Sequence, residues 1–307
     1  MGNDTASLLS GPTPVEVAPR LALALGLDAE DLLIKRDDLI GLGAGGNKVR
    51  KLQVTMGQAI DAAADVVITT GAAQSNHARL TAAAGARLGL RVVLVLEGDS
   101  PETERGNVLL DRLLGAEIIW SGDRSPEEVA DRVERERSRG QVHRIPFGGS
   151  SPASAEAYVW AGDELLDQVP DIRHVVVAVG SGGTMAGLVT ALGAQRVLGV
   201  DSGAVPDART TVHTLVEGMR PGSRVAADAL RIDGAQVGEG YEHLSERTRS
   251  ALLLAARTEG LVLDPTYSGR AMAGLVAAVA SGEIRPGEKC VFLHTGGLPG
   301  LFGHDDI

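Results

Sequence analysis

The segment VVVAVGSGGTMAGLVTAL at residues 175–192 decides the fold class. Its first five residues are apolar and mostly β-branched, which is typical of a strand buried in a parallel sheet. The run ends at the glycines of residues 180–183, and helical spacing of apolar residues resumes at Met185, Leu188 and Val189. In a strand, glycine loop and helix arranged in this way, backbone N–H groups and the helix N-terminus favour an anion. The segment therefore predicts a phosphate-binding loop in an α/β protein.

This loop differs from the common nucleotide-binding motifs. It lacks the Gly-Lys-Ser/Thr of a Walker A loop and is not a full G-x-G-x-x-G fingerprint. A purely structural turn is the alternative interpretation. The predicted phosphate ligands are Gly180, Ser181, Gly182, Gly183 and Thr184.

A second segment, GGNKVRK at residues 45–51, places a lysine where it can become a reactive amine. Lys48 follows a glycine-asparagine turn and precedes apolar residues at helical spacing, so we expect it near a helix N-terminus. The positive end of the helix dipole there lowers the pKa of an ammonium group, which favours Schiff-base chemistry with a carbonyl cofactor. The alternative is a solvated lysine beside Arg50 and Lys51.

A third segment, GAAQSNH at residues 71–77, follows the strand-like residues 66–70 and precedes an alanine-rich helix at 78–88. Four of its side chains, at residues 74–77, can form hydrogen bonds. Open α/β sheets bind ligands at the carboxyl ends of their strands, so these side chains suit a substrate carboxylate or a cofactor oxygen. An ordinary helix N-cap is the alternative, and His77 is the weakest member of the set.

Five blocks of sequence, in this order and spacing, resemble one family of pyridoxal-phosphate enzymes. The family comprises D-cysteine desulfhydrase and 1-aminocyclopropane-1-carboxylate deaminase, and the likeness covers nearly the whole chain, with closer similarity to the desulfhydrases. The blocks are GGNKVRK, GAAQSNHARLTAAAGARLGL, VAVGSGGTMAGL, LDPTYSGRAMAGL and FLHTGGLPGLF. The resemblance implies the tryptophan-synthase-β-like fold, which is fold type II of these enzymes, with lysine-bound pyridoxal 5'-phosphate and usually a homodimer.

The order of strand and helix patterns predicts two doubly wound α/β domains with the active site between them. As the resemblance implies, residues 50–154 form the smaller domain, and residues 1–49 and 155–307 form the larger, cofactor-binding one. A charge-rich helix at 127–139 is expected on a solvated face without a function. The predicted strands lie at 66–70, 91–96, 116–120, 174–179, 196–200, 260–263 and 289–294.

The resemblance also assigns roles to individual residues. Lys48 matches the lysine that binds the cofactor, and its amine, once freed, is the expected base for a substrate α-proton. Asn76 matches the partner of the cofactor's phenolic oxygen. Ser75 and Gln74, together with Asn76, are then expected to bind the substrate at its carboxylate or leaving group, and Ser75 is also expected to be catalytic, as are Lys48, Tyr241 and Tyr267. The loop at 180–184 is expected to hold the phosphate.

The C-terminal blocks bear on the subfamily. Tyr267 and Tyr241 match two active-site tyrosines of the family, although a core tyrosine is the alternative for Tyr241. The deaminases carry a glutamate where this chain has Ser268, a predicted substrate-binding residue. Thr295 stands where the desulfhydrases present a hydroxyl to the pyridine nitrogen and the deaminases have an apolar residue. A neutral hydroxyl leaves that nitrogen unprotonated, which suits β-elimination.

We therefore expect a lyase that performs α,β-elimination on a small amino acid, with D-cysteine giving pyruvate, sulfide and ammonia. The chain departs from the family pattern at residues 151–157 and at Glu242, which leaves the substrate open. The alternatives within enzymes are 1-aminocyclopropane-1-carboxylate deaminase, L-cysteate sulfo-lyase, a β-replacement enzyme and an amino-acid racemase. A catalytically inactive ligand-binding protein is the alternative outside them.

Composition narrows the class of protein further. The 307 residues include 40 acidic and 29 basic side chains, a formal net charge of -11, which argues against nucleic-acid binding. The single Cys290 cannot form an internal disulfide, and no signal-peptide pattern is visible, so we expect a cytoplasmic protein. No Cys/His spacing indicates a metal site. The charge-free run at 175–195 fits a phosphate loop better than a membrane span because of its glycines.

Overall fold

A computed structural model describes residues 6–137 and 141–307. Within those residues the chain forms ten strands in two sheets, with eleven helices around them. The strands are β1 Val15–Val17, β2 Leu32–Lys35, β3 Val66–Gly71, β4 Arg91–Leu96, β5 Glu117–Trp120, β6 Val142–Arg144, β7 His174–Val179, β8 Val197–Asp201, β9 Arg231–Asp233 and β10 Cys290–Leu293. The helices are α1 Pro19–Leu25, α2 Lys48–Asp61, α3 Asn76–Leu88, α4 Gly106–Leu113, α5 Pro126–Glu136, α6 Pro152–Gln168, α7 Gly183–Leu192, α8 Ala208–Met219, α9 Glu246–Glu259, α10 Ser268–Ala280 and α11 Leu298–Leu301.

The larger sheet has six strands in the order β1-β2-β10-β7-β8-β9. All neighbouring pairs are parallel except β1 and β2. The central strand β7 is buried from Val175 to Val179, because apolar clusters cover both faces of the sheet. The predicted buried strand is confirmed, and its β-branched residues explain why it occupies the middle of the sheet.

The smaller sheet has four parallel strands in the order β5-β4-β3-β6. Helices α2 and α3 contribute to the apolar cluster on one face, and α5 packs on the other. The strands predicted at 66–70, 91–96 and 116–120 are confirmed as β3, β4 and β5 within one residue at each end. The charge-rich helix is confirmed as α5, although residues 138 and 139 of that prediction lie outside the described residues.

The strand predicted at residues 260–263 is wrong. Gly260 ends α9 in the left-handed conformation, and the chain then runs to Asp264 without pairing to a strand. Leu261 and Leu263 are nevertheless buried in the core, so their alternation reflects packing rather than a sheet ladder. Three strands of three residues each, β1, β6 and β9, have no counterpart among the predicted strands, because they are too short to give a period-two pattern.

Three of the strand-to-helix connections lead to one place. The loop after β7 enters α7, the loop after β3 enters α3, and the segment after β10 contains Thr295. Residues from all three border one cleft, together with the first residue of α2. Parallel strands present their carboxyl ends at a common edge, and ligands of α/β proteins bind there.

The close packing of α6 against α7 yields the first prediction. A Cβ atom at Gly187 would lie 2.4 Å from both the carbonyl oxygen of Ala155 and the Cβ of Tyr158. We expect Gly187→Ala to lower the free energy of unfolding by about 1–3 kcal/mol, because the two helices must move apart. Urea denaturation measures the change.

Gly41→Ala is the matched control, since Gly41 has a φ of -71° and no atom within 4 Å of an added Cβ. Equal stability of Gly187→Ala and the unaltered protein would contradict the packing described.

Candidate active site

All eight residues predicted to bind the cofactor border the cleft at the carboxyl ends of the strands. Asn47 and Ala178 complete its lining. A wider cleft shares Asn76 and Tyr267 with it and opens towards the solvent. The predicted residues along the first cleft are Lys48, Asn76, Gly180, Ser181, Gly182, Gly183, Thr184, Tyr267 and Thr295.

Lys48 is the first residue of α2, as the sequence predicted. Its Nζ lies 5.9 Å from the centroid of the Tyr267 ring. Burial lowers the pKa of the Lys48 amine to about 8, and the charge of Asp264 opposes the shift. A low pKa was expected from the helix dipole, but the structure gives burial as its main cause. An amine in this state is available as a nucleophile near neutral pH.

The glycine loop leaves its backbone open to an anion. Gly182 has a φ of 82°, which favours glycine, and a Cβ at Gly183 would lie 2.6 Å from the Oγ of Ser150. At the start of α7, the Oγ1 of Thr184 accepts a hydrogen bond from the Nδ2 of Asn47 at 3.0 Å. The hydroxyl proton of Thr184 is therefore free to be donated to a ligand.

Lys51, to which the sequence assigns no role, lies next to the glycine loop, since a Cβ at Gly183 would lie 3.4 Å from its Cδ. Its Nζ is buried beneath the glycine loop and donates to the carbonyl of Gly148 at 2.5 Å and to the Oγ of Ser150 at 2.7 Å. Ser150 in turn shares a 2.7 Å hydrogen bond with Ser181 of the loop. Burial, and then the charge of Lys48, hold the pKa of Lys51 well below its usual value. The three-residue spacing from Lys48, which puts both amines on one helix face, was the available signal.

At the start of α3, Ser75 caps the helix and also lies next to Lys48. Its Oγ accepts a hydrogen bond from the N–H of Ala78 at 3.1 Å, as an N-cap does, and its hydroxyl proton remains available. The side chain also borders the space next to Lys48. His77 is buried, with its Nε2 2.9 Å from the Oγ1 of Thr69, and burial holds its pKa well below the usual value. We assign His77 no proton-transfer role.

Both polar groups of the Gln74 side chain form hydrogen bonds within the protein. Its Nε2 donates to the carbonyl of Arg105 at 3.1 Å, and its Oε1 accepts from the N–H of Asn107 at 2.8 Å. The side chain borders the wider cleft rather than the one that holds Lys48.

The two predicted tyrosines form a pair. The hydroxyls of Tyr241 and Tyr267 are 2.5 Å apart, and the rings meet edge to face. Burial raises the pKa of Tyr241 to about 12 and that of Tyr267 well above 10. Both hydroxyls therefore stay protonated at neutral pH. One proton is used in the hydrogen bond between them, and the other can be donated to a ligand.

Ser268 is not brought to either cleft. It is fully buried, and its hydroxyl donates to the Oδ1 of Asp264 at 2.5 Å. The N–H groups of Thr266 and Tyr267 also bind this carboxylate, so Asp264 holds the turn that presents Tyr267. Thr295, by contrast, borders the cleft as predicted.

A buried ion network anchors the helix that carries Lys48. The guanidinium of Arg50 binds the carboxylate of Asp37 at 3.0 Å and that of Glu164 at 2.9 Å. The hydroxyl of Tyr158 donates to the same Asp37 at 2.6 Å. No local sequence pattern reveals this network, because its members lie far apart in the chain.

The arrangement defines a class of protein. A half-buried lysine of lowered pKa, a glycine loop at a helix N-terminus and the Tyr267 hydroxyl of raised pKa border one cleft. An aldehyde cofactor that carries a phosphate matches these groups, because the loop and Thr184 offer N–H and O–H donors to the phosphate and Lys48 offers an amine to the aldehyde. The residues present thus fit pyridoxal 5'-phosphate.

Comparison with known proteins identifies the family. A family model described as pyridoxal-phosphate dependent enzyme matches residues 6–296, and the chain belongs to this family. Its cofactor is pyridoxal 5'-phosphate, and its architecture is fold type II of these enzymes.

Three relatives illustrate the similarity. A Pyrococcus abyssi protein named "Putative 1-aminocyclopropane-1-carboxylate deaminase" is 40% identical over 98% of this chain and 93% of its own length. D-cysteine desulfhydrase of Klebsiella pneumoniae is 36% identical over 97% of this chain and 95% of its own length. A crystal structure described as an ACC deaminase homologue has a TM-score of 0.88 and 34% identity, covering 99% of this chain and 94% of that one. The chain is thus a pyridoxal-phosphate-dependent enzyme of the group that includes these two activities.

Two other kinds of site are absent from the described ranges, 6–137 and 141–307. There, no three His, Cys, Asp or Glu side chains are grouped so that they could hold a metal ion. No helix in that part of the chain has both the length and the apolar character needed to cross a bilayer.

The hydrogen-bond geometry of Thr184 yields the second prediction. We expect Thr184→Ala to weaken cofactor binding by about 1.5–3 kcal/mol, because one hydrogen bond to a charged phosphate is lost while the backbone loop persists. Titration of the apoprotein with pyridoxal phosphate measures the dissociation constant.

Thr190→Ala is the control, since Thr190 lies on the same helix and its hydroxyl donates only to the carbonyl of Ala186. Unchanged affinity of Thr184→Ala, or an equal loss in Thr190→Ala, would contradict the assignment of the loop.

Proposed function

We propose that the protein is a pyridoxal-phosphate-dependent carbon-sulfur lyase that converts D-cysteine and water to pyruvate, sulfide and ammonia by α,β-elimination. The observation that carries the proposal is that Thr295, a residue with a neutral hydroxyl, borders the cleft. A neutral hydroxyl opposite the pyridine nitrogen leaves it unprotonated and limits the charge that the ring withdraws. Such a site favours a substrate whose leaving group departs readily from Cβ.

Lys48 is the proposed base. Pyridoxal phosphate, when bound, supplies an electron sink for negative charge at the substrate's Cα. The Lys48 amine, whose pKa is about 8, is neutral in a useful fraction of molecules near neutral pH and can accept the α-proton. Its position at the first turn of α2 keeps the amine at the cleft.

Binding of the substrate and of the phosphate falls to separate elements. The hydroxyl of Ser75 and the N-terminus of α3 suit the substrate carboxylate, because both offer donors beside Lys48. The NH₂ group of Asn76 suits the cofactor's phenolic oxygen. Lys51 would bind the phosphate as an ammonium, since an anion above it offsets the burial that otherwise favours its neutral form.

The tyrosine pair completes the proposed site. Tyr267 lies beside Lys48, and Tyr241 is within hydrogen-bond distance of it. Because both hydroxyls hold their protons, we assign the pair to orienting the substrate and to holding a proton next to the leaving group. Asp264 keeps Tyr267 in place through its backbone hydrogen bonds.

The wider cleft supports a neutral rather than an anionic leaving group. Its lining includes the carboxylates of Glu102, Glu242 and Asp305, and Arg105 is already paired with Asp305. A sulfonate would meet these charges on entry, which argues against L-cysteate as the substrate.

A second candidate function is 1-aminocyclopropane-1-carboxylate deaminase. Its support is the name of the 40% identical relative from Pyrococcus abyssi. We rank it second because deamination must open an unactivated ring and therefore demands a stronger electron sink than Thr295 supports.

Three further expectations remain part of the proposal. We propose a homodimer, supported by the exposed apolar side chains of Leu113 and Phe302, which are 72% and 66% accessible. We keep the cytoplasmic location on the basis of the single, buried Cys290. We also propose two domains, a smaller one of residues 50–154 and a larger one of residues 1–49 and 155–307.

The third prediction tests the reaction directly. We expect the purified protein to release pyruvate and sulfide from D-cysteine, and pyruvate from β-chloro-D-alanine, with little or no 2-oxobutanoate from aminocyclopropane carboxylate. Parallel assays with L-cysteine and L-cysteate, measuring sulfide, sulfite and keto acid, settle stereochemistry and leaving group.

A Lys48→Ala variant is the negative control and should form none of these products. Efficient release of 2-oxobutanoate from aminocyclopropane carboxylate, with D-cysteine left unchanged, would overturn the proposal in favour of the second candidate.

A further inference from the structure

Asn107 lies behind the cleft, at the second residue of α4, and is fully buried. Its Nδ2 donates two hydrogen bonds, to the backbone carbonyl of Gln74 at 2.9 Å and to the Oδ1 of Asn76 at 3.1 Å. Asn107 borders neither of the clefts described above, whereas Asn76 borders both. The contact therefore links a buried residue to one that faces the ligand.

The orientation of both amides follows from their partners. The carbonyl oxygen of Gln74 can only accept, so the Asn107 atom that faces it must be the nitrogen. That nitrogen's second proton points at Asn76, whose facing atom must then be the oxygen. The NH₂ group of Asn76 is consequently left for the cleft.

Arg79 supports the same orientation from another side. Its Nη2 is 3.4 Å from the Oδ1 of Asn76, and a guanidinium can only donate. The same nitrogen binds the carbonyl of Gly45 at 3.1 Å, in the turn that leads to Lys48. If Asn76 were turned by 180°, its NH₂ group would face two donors and lose both bonds.

The position of Asn107 is not explained by packing alone. Its own Oδ1 is buried and has no hydrogen-bond partner among the described residues, an arrangement that native proteins rarely tolerate without a reason. The anchoring of α4 to Gln74 also uses the backbone N–H of Asn107, which any residue would supply.

We propose that Asn107 is a positioning residue that locks the Asn76 amide with its donor towards the cofactor's ring oxygen. The inference rests on the proposed role of Asn76 and extends it by naming the residue that enforces it. A donor held against that oxygen stabilises the negative charge that the bound cofactor carries after it loses its proton. Asn107 thus lowers the pH at which the cofactor's visible absorbance band changes.

The test compares holoenzyme variants without substrate. Asn107→Leu keeps the volume and removes the Nδ2 donor, so we expect the pH midpoint of the visible band to rise by about one unit or less. We expect the dissociation constant for pyridoxal phosphate to rise about tenfold, as for one lost hydrogen bond. Asn107→Asp, which keeps the shape but replaces the donor by an acceptor, should shift both in the same direction and serves if Asn107→Leu does not fold.

Val108→Ala is the matched control. Val108 is the fully buried neighbour on α4, and its truncation destabilises the helix without touching the hydrogen bonds of Asn76. Its melting temperature should fall while its absorbance midpoint stays unchanged. A midpoint that moves as much in Val108→Ala as in Asn107→Leu would overturn the proposal, because general loosening would then explain the shift.

A double-mutant cycle isolates the path through Asn76. In an Asn76→Ala background, Asn107→Leu should produce no further shift of the absorbance midpoint. A full additional shift there, or an unshifted midpoint in both single variants of Asn107 with cofactor bound, would refute the positioning role. Because no substrate is present, either result leaves the D-cysteine proposal untouched, and failure of D-cysteine turnover leaves these spectra interpretable.

Discussion

The ion network around Arg50 is the constraint on which the position of Lys48 depends. Arg50 lies two residues after Lys48 on α2 and binds Asp37 and Glu164, which come from the end of β2 and from α6. Buried charges are tolerated only when paired, and breaking such a pair costs about 3–5 kcal/mol. The network therefore fixes the first turn of α2, and with it the amine of Lys48, between the two sheets.

Around that fixed turn, the cleft combines groups that would be unfavourable elsewhere. Two lysine amines lie one turn apart, and the pKa of each is lowered because the surrounding protein excludes water. The glycine loop above Lys51 supplies N–H groups but no side chains at its tightest points. A phosphate satisfies both features at once, which is why the site is better suited to a bound cofactor than to an empty pocket.

Local patterns in the sequence predict much of the fold and of the cleft. The β7 strand, the glycine loop and the placement of Lys48 at a helix start are short-range features, and the structure has them where the spacing predicts. Ser268 and Lys51 show the limit: position along the chain does not reveal that one hydroxyl turns towards Asp264 and that one ammonium turns under the loop. The alternation of Leu261 and Leu263 predicts a strand, because residues buried by packing alone give the same sequence pattern as residues paired in a sheet. Contacts between distant segments decide such cases.

Reduction of the holoenzyme with borohydride, followed by peptide mass mapping, identifies the lysine that binds the cofactor. We expect one stable pyridoxyl adduct, on Lys48, because its amine borders the cleft and has a lowered pKa. An adduct on Lys51 or Lys35, or on no lysine in protein that holds stoichiometric cofactor, would contradict it.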